Sequence, residues 1–586
     1  MNKLVSWLNI ATRLSSTSIP SHTLVIAVSF WIAAVVNIPL WIKIVLLPEY
    51  DSAASNPIPF IAAFIIGITA LNTLVFSLFT WGKLLRPMLT LLVLTSASTA
   101  YFMLEYGIVI DSTMITNVLQ TNPNEAGDLI GRRFFLAVFL FSAVPASWIW
   151  RVELKSEPLV RALGRQILLI FSGAIIACIC ILLIYQPLAS TMRNHKQIRY
   201  LITPLNSIYA IANLGAGKLA RDDKVLIPVG NDARKALPAD GAAPLLFLVL
   251  GETARAESFQ LNGYARETNP YLAARTDLFF SQNAWSCGTS TADSVPCMFS
   301  FLGRDGYQSR KGSYENMLDV IRKAGLAVLW LDNQSGCKGV CARIETQSFS
   351  PIDTHVECTA EGCLDVAMLD GLKERIEALP PEQRAKGVVV VLHQMGSHGP
   401  AYYKRSSPER KPFQPECKNS ALQTCNRQDV VNAYDNSIRE TDFFLSQTIS
   451  WLERHYPGSA TSMIYASDHG ESLGEANIYL HGLPYAIAPD VQKQIPWLVW
   501  MSNRMQRESR ISIACMKERM SKRRISHDNY AHSVLGALGI ESTIYKEGLD
   551  IFKDCRDSSE RKDLNHPNIF ESLPSQEIHT SSRGLA

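Results

Sequence analysis

The side chains best equipped for chemistry in this sequence gather just after short apolar runs. "LLFLVL" (245–250) is followed by Gly251 and Glu252, and "LAVLWL" (326–331) by Asp332 and Asn333. "GVVVVL" (387–392) is followed by His393, with His398 five residues on. "SMIYAS" (462–467) is followed by Asp468 and His469, with Glu471 and His481 beyond. A single acid after a strand is usually a helix cap. Four strand ends loaded with carboxylates and imidazoles instead describe a metal site, and that donor set suits zinc, with manganese also compatible. Glu252, Asp468 and His469 supply three ligands, and a catalytic metal keeps a fourth position for the reacting group.

A hydroxyl-rich loop is the candidate for that position. In "SCGTSTADSVPCMFS" (286–300), Cys287 and Cys297 bracket Thr289, Ser290, Thr291 and Ser294. A hydroxyl beside a metal is acidified and becomes a nucleophile at neutral pH. A disulfide would fix it, and a misplacement of an ångström costs about a hundredfold in rate. Spacing does not choose among the four hydroxyls. The plain alternative is a polar loop in which Thr289 or Ser290 caps a helix.

The elements that must position these groups follow from the same runs. Continuous apolar strands, with "PWLVWM" (496–501) as a fifth, alternate with helical-looking segments such as 314–324 and 364–378. That pattern predicts a mostly parallel sheet covered by helices on both faces. Ligands of such sheets bind beyond the carboxyl ends of the strands, where the acids and histidines fall.

The first 190 residues are of another kind. Five apolar runs, near 22–42, 57–81, 87–104, 133–150 and 166–187, are long enough to cross a bilayer, which takes about 20 residues. The first lacks a small-residue cleavage site, so it is not read as a removable signal. Lys3, Arg13, Lys83, Arg86, Arg151, Lys155, Arg161 and Arg165 lie on one side of the spans, against Lys43, Arg132 and Arg133 on the other. The excess of basic residues puts the N-terminus in the cytoplasm and everything after about residue 188 outside. The expected organisation is a five-helix transmembrane domain (1–190), a connector with a partly interfacial helix (191–242), an α/β domain (243–556) and a polar tail (557–586). No internal repeat is present. The net charge of +3 argues against a nucleic-acid binder.

The twelve cysteines agree with an oxidising exterior. Cys178 and Cys180 fall in the fifth span. Close pairs are Cys287/Cys297, Cys337/Cys341, Cys358/Cys363 and Cys417/Cys425, and Cys515 and Cys555 remain to pair with each other. Each short closed loop stabilises by roughly 2–3 kcal/mol on the loop-entropy model. A zinc ribbon at Cys337 and Cys341 is disfavoured because the other pairs lack two-plus-two spacing.

"GETARAE" (251–257), the hydroxyl loop, "HQMGSHGP" (393–400) and "SDHGESLGE" (467–475), in this order, resemble the lipid A phosphoethanolamine transferases. This family includes the mobile colistin-resistance enzymes, within the alkaline phosphatase and sulfatase superfamily. The resemblance covers nearly the whole chain. It implies an alkaline phosphatase/sulfatase-like α/β domain in the periplasm, anchored in the bacterial inner membrane. It implies Thr291 as the nucleophile and as a zinc ligand with Glu252, Asp468 and His469. One zinc is expected to be tightly bound, with a second metal left open. His398 and His481 are implied for that second metal or for the substrate phosphate, His393 stands with them, and Lys338 in "GCKGVC" is implied for the phosphoethanolamine group. Asn117, Thr121 and Glu125, between the third and fourth spans, are implied to hold the headgroup; at four-residue spacing they would share a helix face, which Pro123 disfavours.

The implied reaction has two steps. Thr291 attacks phosphatidylethanolamine and releases diacylglycerol, and a lipid A phosphate oxygen then takes the phosphoethanolamine. The added amine offsets negative charge and would weaken binding of polymyxins and other cationic peptides. Membrane lipid is the expected surrounding, no nucleic acid is involved, and a monomer is expected. Other acceptors (lipopolysaccharide core sugar, glycan or protein), hydrolysis, or a non-catalytic membrane scaffold are the alternatives. Asp293 stands where relatives have an apolar residue, which leaves the metal count open. No sulfatase-type Cys/Ser-x-Pro-x-Arg signature is present around the hydroxyl loop, and no G-x-x-x-x-G-K-[ST] loop occurs in the sequence. The orientation is directly testable: a compartment reporter fused after residue 240 should register the periplasm, and a cytoplasmic signal would overturn both the topology and the disulfide argument.

Overall fold

A computed structural model describes residues 18–556, apart from 48–56, 80, 121–125, 128, 221, 237–242, 335, 349–357 and 360–361. Lys3, Arg13, Thr121, Glu125 and the polar tail 557–586 therefore lie outside the described residues.

The apolar runs become helices. Four are single helices long and apolar enough to span: α3 (Ile58–Phe79), α4 (Leu85–Tyr106, extended by a 3₁₀ turn from Gly82), α6 (Arg132–Arg151) and α7 (Leu159–Leu183). The first run is broken into α1 (Ser21–Val36) and α2 (Ile38–Val45), bent by 45°. The bend has a chemical cause. A π-helical turn over Ile32–Val36 leads to Asn37, and Pro39 follows. Asn37 Nδ2 donates to Ile32 O (2.9 Å) and Thr203 O (2.8 Å), and Asn37 Oδ1 accepts from Thr203 N (2.9 Å). The side chain thus serves backbone groups that the break leaves without helical partners. α3 packs on α7 and α4 on α6. Phe135, Phe139 and Leu140 of α6 and Ile175, Leu182 and Leu183 of α7 stay exposed, as a lipid-facing surface requires. The fifth span lies several residues earlier than the hydropathy run 166–187.

Between α4 and α6 lies α5 (Ser112–Gln120), and after α7 come α8 (Tyr185–Asn194) and α9 (Leu205–Ala220). The connector then adds β1 (Asp222–Ile227), paired in parallel with β4 (Gly312–Tyr314). The α/β domain is an eight-stranded sheet of order β12–β3–β11–β8–β2–β7–β5–β6. Its members are β2 (Leu245–Gly251), β3 (Leu278–Trp285), β5 (Ala327–Asp332), β6 (Glu345–Ser348), β7 (Val388–His393), β8 (Thr461–Ser467), β11 (Gln494–Met501) and β12 (Ile525–Ser526). A short hairpin, β9 (Ser472–Glu475) and β10 (Ile478–Leu480), stands outside it. Only β11 runs against its neighbours, so the sheet is mostly parallel as expected, with the "PWLVWM" strand as the exception.

The central strands are apolar throughout because both faces are covered. Leu246, Leu248 and Leu250 of β2 enter one core with Val389, Val391 and Ile464, under α12 (Tyr530–Leu538). Leu245, Phe247 and Val249 enter the other with Val390, Met463 and Tyr465, under α11 (Arg427–His455). Each such side chain contributes roughly 1.5–3 kcal/mol by burial. Among the elements not visible as runs are β3, β6 and β12 of the sheet and the long α11. The predicted helix 364–378 is two pieces, a 3₁₀ turn at Asp365–Leu369 and a helix at Leu372–Glu377, separated at Gly371.

The second core continues into the membrane domain through Tyr101, Tyr106, Ile108, Ile110 and Met114. At this junction Gly107 ends α4 with φ of 67°, and a Cβ there would lie 2.6 Å from Asn477 O in the turn of the β9–β10 hairpin. A left-handed non-glycine residue costs about 1–2 kcal/mol, and the backbone oxygen cannot step aside as a side chain can. Gly107→Ala should therefore lower the thermal midpoint of the detergent-solubilised chain by a few degrees, and Gly107→Val by more. An unchanged midpoint in both would show that this contact does not hold the domains together.

Candidate functional site

Glu252, Asp468 and His469 converge because they follow adjacent parallel strands. β2 and β8 pair in register from Leu245↔Thr461 to Gly251↔Ser467, so the next residues emerge side by side. One ligand atom from each of Glu252, Asp468 and His469 lies within 4.8 Å of the others, and all three side chains are buried. Thr291 opens helix α10 (Thr291–Met298) and completes the group. Its Oγ1 is 3.1 Å from both Glu252 carboxylate oxygens and 3.5 Å from His469 Nε2. Of the four loop hydroxyls, Thr291 is the one that approaches the side chains of these residues. Thr289 Oγ1 donates to Leu483 O (2.6 Å), and Ser294 Oγ donates to Asp468 O.

The surroundings prepare the ligand atoms. His469 Nδ1 donates to Gly470 O (2.9 Å), which leaves a lone pair on Nε2. Asp468 Oδ1 accepts from Thr253 N (3.0 Å) and His469 N (2.7 Å), while the buried Oδ2 has no hydrogen-bond partner and faces His469 Nε2 at 3.3 Å. Glu252 accepts from Thr253 Oγ1 (2.6 Å) and Gln334 Nε2 (3.0 Å). Thr253 takes a left-handed φ of 59°, and in that conformation its N–H serves Asp468. An unpartnered buried carboxylate oxygen, a free imidazole lone pair and two carboxylates at close range fit a divalent cation such as zinc. Burial pushes Asp468 up to about 6, and burial with the neighbouring His481 pushes His469 down to about 4. Both shifts express the cost of charge in this pocket when no cation balances it.

Thr291 is also where the buried ligands meet open space. A cavity of about 140 Å³ is lined on one side by Ser290, Thr291, Gln334, Lys338, His398 and His481. Its other wall is apolar and comes from the membrane domain: Phe102, Ile108, Ile110, Met114 and Val118, with Asn117 among them. The imidazoles form a row, His469 to His481 with ring centroids 4.2 Å apart and His481 to His398 at 5.8 Å. His481 Nδ1 faces Glu471 Oε2 at 2.8 Å, and Tyr402 OH donates to Glu471 Oε1. Lys338, at the cavity, also has a left-handed φ of 51°. Left-handed residues at Thr253 and Lys338 are the kind of local strain that functional sites retain.

His393 departs from its expected place. It is fully buried beside Asp332, with Nδ1 3.3 Å from Asp332 Oδ2, and it does not line the cavity. Asn117 is on α5 and lines the cavity, but α5 ends at Gln120, so a shared face with Thr121 and Glu125 has no counterpart among the described residues. Asp293 neither joins the three-ligand group nor stands free in water; its carboxyl packs against Gly288, and burial pushes its pKa up to about 6 against the opposing charges of Arg304 and Arg310. Gln334, Thr253 and Tyr402 were not anticipated. Glu471 lay in a quoted motif but carried no assigned role.

The ten cysteines outside the membrane spans form five disulfides: Cys287–Cys297, Cys337–Cys341, Cys358–Cys363, Cys417–Cys425 and Cys515–Cys555. The pairing is as expected, and no zinc ribbon forms at Cys337 and Cys341. Cys178 and Cys180 are free thiols. The first two bonds flank the site, one around Thr291 and one around Lys338. The next two lie away from it. Cys363 faces Cys358 across a minimal antiparallel hairpin, and its carbonyl accepts from Asn333 Nδ2 (3.0 Å). Cys417 and Cys425 pack against the second core near the start of α11, where Cys417 N donates to Asp429 O (2.9 Å). Neither Cys363 nor Cys425 joins the ligand group or lines the cavity. Each closes a loop of a few residues, so it braces local backbone and not a reacting atom.

A sheet of this order with ligands at its strand ends defines a sulfatase-type domain, and the Sulfatase family model matches residues 244–540. A second model, described as phosphoethanolamine transferase EptA/EptB, matches residues 68–219. The chain is 37% identical over 550 residues to the phosphoethanolamine transferase EptA of Escherichia coli K12, covering 91% of this chain and 96% of that one. It is 36% identical over 494 residues to the phosphatidylethanolamine transferase Mcr-1 of Escherichia coli, covering 82% and 90%. The solved integral membrane lipooligosaccharide phosphoethanolamine transferase A of Neisseria meningitidis superposes with a TM-score of 0.86 at 32% identity, covering 92% of this chain and all of that one. The chain belongs to the phosphoethanolamine transferase family, with a helical membrane domain and a periplasmic α/β domain.

Glu471 gives the metal-free protein a pH signature. Burial, the largest cause, pushes its carboxyl up to about 8. The folded chain then holds a proton that the unfolded chain has released, so stability falls as pH rises from about 4.5 through about 8. Chelator-stripped Glu471→Gln should lack this component. Its melting midpoint relative to the parent should be several degrees higher at pH 9 than at pH 6, and an identical pH dependence in both proteins would contradict the assignment.

Proposed function

We propose that this protein transfers phosphoethanolamine from phosphatidylethanolamine to a phosphate of lipid A. The observation that carries the reading is the position of Thr291. Its hydroxyl touches the buried ligand group on one side and opens on the other into a cavity shared by the α/β domain and the membrane domain. A substrate that is polar at one end and lipid at the other matches that wall-to-wall contrast. The relatives' names support the same transferred group, phosphoethanolamine for EptA, and the same donor, phosphatidylethanolamine for Mcr-1.

In the first step Thr291 Oγ1 attacks the donor phosphorus. The hydroxyl already points at Glu252, which gives its proton an acceptor. The phosphorus–oxygen bond to diacylglycerol breaks as the bond to threonine forms, and the diacylglycerol oxygen takes up a proton. His398, His481 and Lys338 line the cavity beside Thr291, and in this reading they hold the phosphoryl oxygens, where negative charge develops. Asn117, with Thr121 and Glu125, is assigned to the ethanolamine headgroup; the ammonium would pair with Glu125. In the second step a lipid A phosphate oxygen attacks the threonine-bound phosphorus and restores the Thr291 hydroxyl. Glu252, Asp468, His469 and Thr291 would hold the zinc, which when bound supplies Lewis acidity at the hydroxyl and charge stabilisation at the phosphoryl group.

The product carries one added amine, which offsets phosphate charge and lowers affinity for polymyxins. The test is mass spectrometry of lipid A from cells with and without the chain, beside the Thr291→Ala variant. The parent should add phosphoethanolamine, and Thr291→Ala should fall below detection while keeping the Cys287–Cys297 bond and the parent's melting midpoint. Full transfer by Thr291→Ala would remove the threonine from the reaction, and unmodified lipid A with a labelled core sugar would change the acceptor.

A further inference from the structure

The nucleophile loop and the strand carrying two ligands are distant in sequence, yet Thr291 Oγ1 lies 3.5 Å from His469 Nε2. The Cys287–Cys297 disulfide fixes the shape of the loop but not its distance from β8. A buried histidine outside the ligand group makes that second connection. His527 follows β12 at the start of a 3₁₀ turn and is 1% exposed. Its Nε2 lies 3.0 Å from the carbonyl oxygen of Ser467, the residue before Asp468. Its Nδ1 lies 3.1 Å from the backbone N–H of Cys287, four residues before Thr291.

These two contacts define the ring chemically. A nitrogen facing a carbonyl must donate, and a nitrogen facing an N–H must accept, so His527 is the neutral Nε2–H tautomer. Burial agrees, pushing its pKa down to about 3. The turn that presents it is itself fixed. Ser526 Oγ accepts from Asp528 N (3.3 Å), and Ser526 N donates to Asn529 Oδ1 (2.9 Å). Asp528 Oδ1 accepts from Arg304 N (2.8 Å), and Arg304 Nε donates to Cys287 O (3.0 Å). Both backbone polar groups of Cys287 are therefore held from the same side. Ser294 adds a parallel link, accepting from Gly288 N (3.2 Å) and donating to Asp468 O.

We propose that His527 is a positioning residue that sets the distance between the nucleophile Thr291 and the ligand pair Asp468/His469. The inference rests on the reading of Thr291 as nucleophile. His527 touches neither substrate nor ligand side chain; it acts through the backbones of Cys287 and Ser467, with Ser294 Oγ also 3.4 Å from its Nδ1. Removing it frees the loop to shift against β8, and a shift approaching an ångström costs about a hundredfold in rate.

The ring's two roles can be separated. His527→Asn keeps an acceptor near the Nδ1 position, His527→Gln keeps a donor near the Nε2 position, and His527→Leu keeps neither. The measurement is transfer from labelled phosphatidylethanolamine by the full chain in detergent, with kcat and KM for the donor separated. Zinc content, melting midpoint and the Cys287–Cys297 bond are followed alongside. His527→Leu should lower kcat about a hundredfold with KM changed less than about twofold, and Asn and Gln should each recover part of the loss. A folded Leu variant with kcat within about threefold of the parent overturns the proposal, as does a loss that only tracks the folded fraction. If the Leu variant does not fold, the amides decide. Parent-level kcat in both Asn and Gln overturns the proposal, and reduced kcat in both at unchanged KM supports it. A parent that transfers nothing would instead overturn the reading on which this inference rests.

Discussion

Two carboxylates and an imidazole, none with exposed surface, must face one another across a few ångströms, and the structure around them answers that demand. An uncompensated buried charge costs several kcal/mol, so each ligand atom not aimed at the common point is taken by a neighbour. Thr253 and His469 backbone N–H groups occupy one Asp468 oxygen, Gly470 O occupies one His469 nitrogen, and Gln334 and Thr253 serve Glu252. What remains facing inward, beside the Thr291 hydroxyl, is Asp468 Oδ2, His469 Nε2 and the Glu252 carboxylate. A site of this kind is unfavourable for folding until a cation occupies it, and the raised Asp468 and lowered His469 values express that cost.

The sheet meets the same constraint with its topology. Two parallel neighbours in register, β2 and β8, deliver Glu252 and Asp468 to one edge without any long loop. The strands are apolar on both faces, so their depth in the domain resists small displacements of their ends. The groups that are less rigidly placed by the sheet, Thr291 on its loop and His481 after the hairpin, are the ones tied by cross-links: a disulfide for the first, Glu471 for the second.

Much of this was legible in the sequence because the relevant signals are local. An all-apolar run such as "GVVVVL" can be satisfied only with both faces covered, and the residue after it must sit at a strand end. Cysteines a few residues apart pair for the same reason, but spacing does not say which pairs border the chemistry: Cys287–Cys297 does, whereas Cys358–Cys363 and Cys417–Cys425 brace loops away from it. β3 escaped notice because "LFFSQNAW" turns polar halfway, where Gln282 is exposed and Asn283 half-buried. α11 escaped because its buried face is rich in polar residues, including Asn432, Asp435, Asn436, Glu440 and Asp442, which find partners in loops far along the chain. The break at Asn37 depends on Thr203, and the place of His393 depends on Asp332. Such pairings join residues that spacing alone cannot associate.

The cavity beside Thr291 has one wall from each domain, and this bears on how small molecules that occupy it would be found. Phe102, Ile108, Ile110, Met114 and Val118 belong to the membrane part, so a fragment cut after the connector presents the histidines and Lys338 to bulk water with no apolar counter-surface. Compounds screened against such a fragment would be selected for charge and metal affinity, the features most widely shared among phosphatases and sulfatases. Selectivity for this chain would have to come from the apolar half, through contacts that exist only in the intact protein. The full-length chain in a lipid-like environment is therefore the screening target that the architecture calls for.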